Sequence, residues 1–272
     1  PLQKVSEKSL VTLASDTKFA EMQSLELKKD DKFDTQSNEN GIFFLENSVN
    51  SDDPDYADIV YFKFYGKFEP AADLYKLEGD KVVAATMADV DKDREEKVIV
   101  SEKWVNDNNL ASDPDITKTT EGGVTTYTLT VKIAAGSIFY NPANRRFYTS
   151  PNAARVDSGD KTKAVETILY KGGKMLWKTP ANNQVASKYF DTRRNNIYSV
   201  QVDKITGLGS NFDPADPADP NVPKPDPKDN PDEKPHKDED KVITKTTNIE
   251  VQAKILKWNL VYSKRELGSQ IH

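Results

Sequence analysis

The chain is 272 residues long, with 36% hydrophobic and 30% charged residues and a formal net charge of -6, which is enough apolar material for one large domain or two small ones. Zero cysteines exclude disulfides, thiolate metal sites and cysteine nucleophiles. Two histidines, His236 in a proline-rich run and His272 at the end, leave little for general acid-base catalysis.

The acidic balance argues against nucleic acid as a partner, because binding there relies on clustered lysine and arginine. No apolar run approaches the roughly 18 residues of a membrane helix. Residues 1–20 lack the basic-then-apolar layout of a secretory signal, and the chain opens on Pro1. Processing or a longer parent chain is therefore expected, with any export signal outside this stretch.

Lys8–Leu27 has the best helical spacing, through Leu10, Leu13, Phe19, Met22 and Leu25, enough for a turn or two, and 28–41 reads as a polar loop. From Ala57 to Phe68, "ADIVYFKFYGKF" alternates apolar and polar residues over most of its length and is rich in β-branched and aromatic side chains, a buried strand closed by Pro70. Further strands are predicted at Lys81–Met87, Lys97–Val100, Val124–Ile133, Ser137–Tyr140, Arg146–Thr149, Val165–Tyr170, Lys174–Trp177 and Ile197–Ile205. "EGGV" at 121–124 and "KGGK" at 171–174 are turn signals, the second placed between two predicted strands as a hairpin turn is. Many short strands joined by such turns predict an all-β sandwich.

Between Pro214 and Pro235 the chain holds eight of its fifteen prolines, within "DPADPADPNVPKPDPKDNPDEKPHKDEDK". Proline lacks the ladder donor and fixes φ, so the run is expected to stay outside any sheet, near polyproline II. At about 3.1 Å per residue it would span roughly 70 Å. Residues 213–240 carry ten acids and four lysines, whereas 241–272 carry six bases and two acids. A basic tail thus follows an acidic run and an acidic body, and the two attract weakly.

The motifs that suggest chemistry are weak. "DVDKDREE", Asp89–Glu96, has the alternating acids that open a calcium loop, but Arg94 stands where the turn glycine belongs and Val100 where the bidentate glutamate belongs, so it reads as a solvated charged turn. "SDDPDYAD" at 51–58 reads as a loop. "GLGS" at 207–210 lacks the third glycine and the helix of a dinucleotide fingerprint and reads as a strand-ending turn. Trp104, Trp177 and Trp258 read as core residues before sugar platforms. No catalytic, cofactor-binding or metal-ligating residue is assigned, and the chain is read as a non-enzyme.

The most strand-like stretch comes last. In "NIEVQAKILKWNLVY", 248–262, Ile249, Val251, Ala253 and Ile255 hold odd positions, and Leu256, Trp258, Leu260 and Tyr262 hold even ones. This change of phase predicts a bulge or kink between Ile255 and Leu256. Burying seven of these side chains, all but Ala253, would contribute on the order of 10 kcal/mol or more, and left bare the strand is an aggregation hazard. It either closes its own sandwich or adds to another subunit's open groove. The residues alone leave both open.

"RRNNIYSVQVDKITGLGSNFDP", the Asp-Pro run and "IEVQAKILKWNLV" together resemble the C-terminal region of the Bacteroidia fimbrillins, most closely the Mfa-like shaft subunits. "ADIVYFKFYGKFEP", "GSIFYNPANRRFYTS" and "ILYKGGKMLWKTP" match more loosely. Lys257 stands where the family motif "LPW" has proline. The resemblance implies a Greek-key, transthyretin-like β-sandwich in a protein exported as a lipoprotein, trimmed by an arginine-specific protease and polymerised on the outer surface by strand exchange.

The domain reading is then 1–50 as the end of a preceding N-terminal domain, 51–211 as the sandwich, 212–241 as an extended linker, 242–264 as the donor segment and 265–272 as a tail. The expected partners are identical subunits, accessory tip and anchor proteins, and host or bacterial receptors. The expected role is adhesion and biofilm formation. The alternative is a monomeric surface adhesin for glycan or protein, with the run as a spacer.

Overall fold

The computed structural model of the chain describes residues 11–12, 47–49, 51, 53–182, 190–193, 196–219, 221–222, 224–233, 241–242 and 248–257. The chain divides into two compact units, one made of 1–62, 179–206 and 249–272, the other of 63–178 and 207–248.

In the first unit β1 (Val11–Thr12) pairs antiparallel with the start of β2 (Tyr61–Lys67). It falls where helical spacing was strongest in the sequence. The strand predicted from Ala57 begins at Tyr61 because Tyr56–Asp58 form a 3-10 turn, with the Asp55 amide donating to Asp58 Oδ2 at 3.2 Å. Tyr56 and Tyr61 meet edge to face at 5.0 Å, and both are buried. Val60 and Ala181 pack with Phe62 and Tyr198. Asn47 and Thr192 exchange two backbone hydrogen bonds.

The second unit carries the sandwich. Its strands are β3 (Leu74–Glu78), β4 (Lys81–Ala84), β5 (Arg94–Val100), β6 (Ile116–Glu121), β7 (Val124–Ile133), β8 (Ile138–Asn141), β9 (Arg146–Tyr148) and β10 (Ile168–Tyr170). One sheet has the order β5-β7-β6 and the other β10-β8-β9-β3-β4, with β3 and β9 parallel. Val98, Val100, Leu129, Val131 and Ile133 from the first sheet share a core with Phe139, Tyr148 and Leu169 from the second. Alternation along β7 buries Tyr127, Leu129, Val131 and Ile133, the period-two pattern of a half-buried strand. Each such side chain, fully buried, contributes about 1.5–3 kcal/mol. The chain is therefore all-β, and its second unit packs two of its sheets face to face.

Two short helices complete the unit, α1 (Glu102–Asp107) and α2 (Pro151–Asp157). Ser101 and Ser150 cap them by accepting the amides of Trp104 and Ala153, and Pro151 sits in the first turn of α2 where it lacks nothing the helix needs. Ala153 and Ala154 join the core.

The two glycine pairs behave differently. Gly122 and Gly123 (φ 58° and 84°) turn β6 into β7 as a hairpin, with Glu121 opposite Val124. "KGGK", expected as the hairpin turn, instead sends the chain from β10 in the five-stranded sheet to β11 (Lys174–Pro180), which lies in the sheet β1-β2-β11. Gly173 (φ 71°) approaches Phe68 O so closely that a Cβ would sit 2.8 Å from it. The charged run at 89–96 also differs from its expected turn, since Arg94, Glu95 and Glu96 already belong to β5 opposite Ile133, Lys132 and Val131.

Candidate assembly site

β12 (Asn196–Ile205) and β13 (Ile249–Lys257) form a two-stranded antiparallel sheet. The register runs from Asn196 opposite Lys257 to Ile205 opposite Ile249, with one shift between Val202 and Lys204. The bulge therefore lies on β12 at Asp203, not on β13 at Ile255/Leu256, where pairing continues unbroken. Positions 255 and 256 consequently fall on opposite faces of the pleat. Of the eight residues singled out in the sequence, Ile249, Val251, Ala253, Ile255 and Leu256 lie in β13, with Val251 and Ile255 half-buried. Trp258, Leu260 and Tyr262 lie outside the described residues.

β12 is tied into the first unit by Tyr198, whose ring packs with Val60 and Ala181 and whose hydroxyl accepts the Arg193 amide at 2.8 Å. Ile197 and Ile205 on the same strand are 48% and 51% exposed. Among the described residues, each strand of this ribbon has one edge without a partner strand. Two strands alone are marginal in water, and a bare edge is a template for another chain.

The connection between β12 and β13 is held along the second unit. "GLGS" opens it against β11: Ser210 and Leu176 exchange backbone bonds of 2.7 and 2.8 Å, Trp177 Nε1 donates to Gly207 O at 3.1 Å, and Tyr170 donates to Gly209 O at 3.0 Å. A Cβ at Gly209 would sit 2.6 Å from Leu176 O, which is the reason for glycine there. The prolines keep the next stretch out of every sheet. Asp213, Asp216 and Asp219 follow at every third residue, linked by backbone bonds from Asp216 N to Asp213 O and from Asp219 N to Asp216 O. This repeat turns all three carboxylates toward Lys63 of β2, with Nζ contacts of 2.8, 3.2 and 3.3 Å.

Lys63 is fully buried, as is Asp213, which also pairs with Lys178 at 3.0 Å. Tyr65 donates to Asp219. Burial alone would push the Lys63 ammonium down, but Asp213, then Asp216 and Asp219, more than offset it and hold its pKa above the ordinary value. For Asp213 burial pushes up, and Lys178 and Lys63 together overcome it and hold the carboxyl below its ordinary value.

Farther along, Lys228 reaches Asp113 and Asp115, each at 3.0 Å, and Lys171 reaches Asp229 at 2.8 Å. Asn230 donates to Thr167 O at 2.9 Å, and Arg155 grips Asp232 through Nε and Nη2 at 2.9 and 2.8 Å. Here burial dominates and raises the Asp232 carboxyl despite Arg155. Asp213, Asp216, Asp219, Asp229 and Asp232 of the run thus meet cations of the second unit rather than one another. Sequence reading could not find these partners, because Lys63 lies about 150 residues from its aspartates.

This is the geometry of an all-β protein whose candidate site is a pair of strand edges joined by an anchored strap. Among the described residues, no group of acids or histidines is placed to hold a metal ion. Residues 169–263, which take in β11, β12, the strap and β13, match the family described as major fimbrial subunit protein type IV, fimbrillin, C-terminal. The match takes in about a third of the chain and supports a fimbrillin-family relationship for that stretch, the family being one of fimbrial subunits. No curated protein matches the chain. Among the described residues, no helix is long and apolar enough to cross a membrane.

Proposed function

We propose that this chain is a structural subunit of a fimbria that polymerises by inserting its C-terminal strand, Ile249 to Tyr262, into a groove of the adjacent subunit. The observation that carries the reading is that β13, the last strand among the described residues, has one partner strand among them and is reached through a 43-residue connection rather than a tight turn. Main-chain pairing supplies affinity in such an exchange, and Ile249, Val251, Ala253, Ile255, Leu256, Trp258, Leu260 and Tyr262 supply the side chains that fill the groove.

In this reading 242–264 is the donor segment, 212–241 the linker and 51–211 the body. The polymer stands on the outer membrane after export as a lipoprotein, is joined by tip and anchor proteins, and supports adhesion and biofilm formation through surface receptors. Cutting the chain before Lys241 is expected to abolish polymers seen by electron microscopy while the sandwich keeps its circular dichroism. Polymers of ordinary length from that truncated chain would end the proposal.

A further inference from the structure

The strap leaves β12 and returns to β13 at one place. Asn248, the residue before β13, has φ 52°, a left-handed conformation that asparagine tolerates, and its Nδ2 donates to Leu208 O at 2.8 Å. Gly207 faces it with no room to spare, because a Cβ there would sit 2.9 Å from Asn248 Cγ. Ile205, two residues before Gly207, is paired with Ile249, the residue after Asn248. The two ends of the connection are therefore clamped where the ribbon begins. Between them, the strap is fixed to the rest of the second unit at Lys63, at Lys171, at Arg155 and through its own Lys228 to Asp113 and Asp115.

We propose that Gly207, Asn248 and Lys63 act as a latch that holds β13 on its own β12, so that a 43-residue connection behaves as a tight turn until the latch is opened for donation. The inference rests on the strand-donation reading above and names the residues that regulate it. A free connection of that length would lower the probability of β12 meeting β13 on the order of a hundredfold relative to a closed turn, from loop-closure entropy alone. The described stretch from Asp213 to Asp232, anchored at both ends and between, has little of that freedom left to lose. Lys63 and Asn248 are positioning residues in this scheme: they set where β13 begins and how often it leaves, while the groove-filling residues are unchanged.

The absence of cysteine makes the test clean. Val200→Cys with Ala253→Cys places the chain's two thiols at partnered positions of the home register. The oxidised full chain is expected not to polymerise, and reduction is expected to restore growth. Without the cysteines, Asn248→Ala is expected to speed amide exchange in β13 about tenfold through the lost hydrogen bond, and Lys63→Met more, toward the hundredfold of a free connection. Polymer growth should rise by matching factors.

Should Lys63→Met fail to fold, Asn248→Ala decides alone. Exchange in β13 equal to that of the parent overturns the latch. So does faster exchange with unchanged growth, and so does an oxidised chain that polymerises normally. If truncation before Lys241 stops polymerisation while these variants match the parent, only the latch falls. If the truncated chain polymerises, the donation reading itself falls.

Discussion

Between Gly207 and Asn248 the described residues contain no strand or helix, yet this stretch places Asp213 beside a fully buried lysine and Asp232 in the grip of an arginine. Between Ile249 and Lys257 the backbone is a regular strand, yet it has one partner strand among the described residues. Secondary structure and anchoring are thus separated in this chain. The irregular strap is fixed by charge and close backbone approach, and the regular ribbon depends on what holds its two ends together. The proposed strand donation would need this division, because the part that leaves must be less strongly held than the arm that carries it.

The comparison breaks most sharply at Lys63. Lys63→Met leaves buried carboxylates short of a partner and is expected to destabilise the second unit by about 3–5 kcal/mol, measured by denaturant unfolding. A loss no larger than that of an exposed lysine would mean that the strap is only resting on the sandwich.

Acid is the next lever, and the two ends of the strap answer it with opposite signs. The Asp213 carboxyl lies below its ordinary 3.8, so its stabilisation is present above that value and is lost as pH falls through the lower, folded pKa. Lys63 lies above its ordinary 10.5, so its share is full below that value and is lost only as pH rises beyond it. Asp232 is raised by burial, so the folded state binds its proton more readily and that end gains stability as pH falls. Limited proteolysis below pH 4 is therefore expected to cut near Asp213–Asp219 before it cuts near Asp232. The reverse order would contradict the assignment.

A smaller effect is expected on the ribbon side. Tyr198→Phe removes the oxygen that accepts the Arg193 amide and is expected to cost about 0.5–1.5 kcal/mol, seen as faster amide exchange in β12. No change in exchange would mean that β12 is held by packing with Val60 and Ala181 alone.

Local patterns foretold much of the fold and little of the strap's anchoring. β7 and β12 were legible within a residue because long alternation and β-branched side chains speak locally. β3 and β6 were missed, since "LYKLE" and "ITKTTE" are short, and β6 is an edge strand whose side chains are mostly exposed. α1 and α2 carry too few turns for a periodicity, although Ser101 and Ser150 before them were readable as caps. "EGGV" and "KGGK" look alike in sequence. Which one closes a hairpin is decided by pairing partners far away. Lys63 sits in an apolar strand and looked like one more polar position, because the aspartates that make it a buried anchor come about 150 residues later. The order strand, Asp-Pro run, strand was legible and pointed to the family that residues 169–263 match.

The most direct test of the central claim is competition by the strand itself. A synthetic peptide of residues 248–262 is added to growing polymers of the full chain, and their length is followed by light scattering and electron microscopy. Donation predicts that the peptide occupies acceptor grooves and stops growth at saturation, while a peptide with the same composition in scrambled order does not. Growth that continues unchanged at saturating peptide would contradict it.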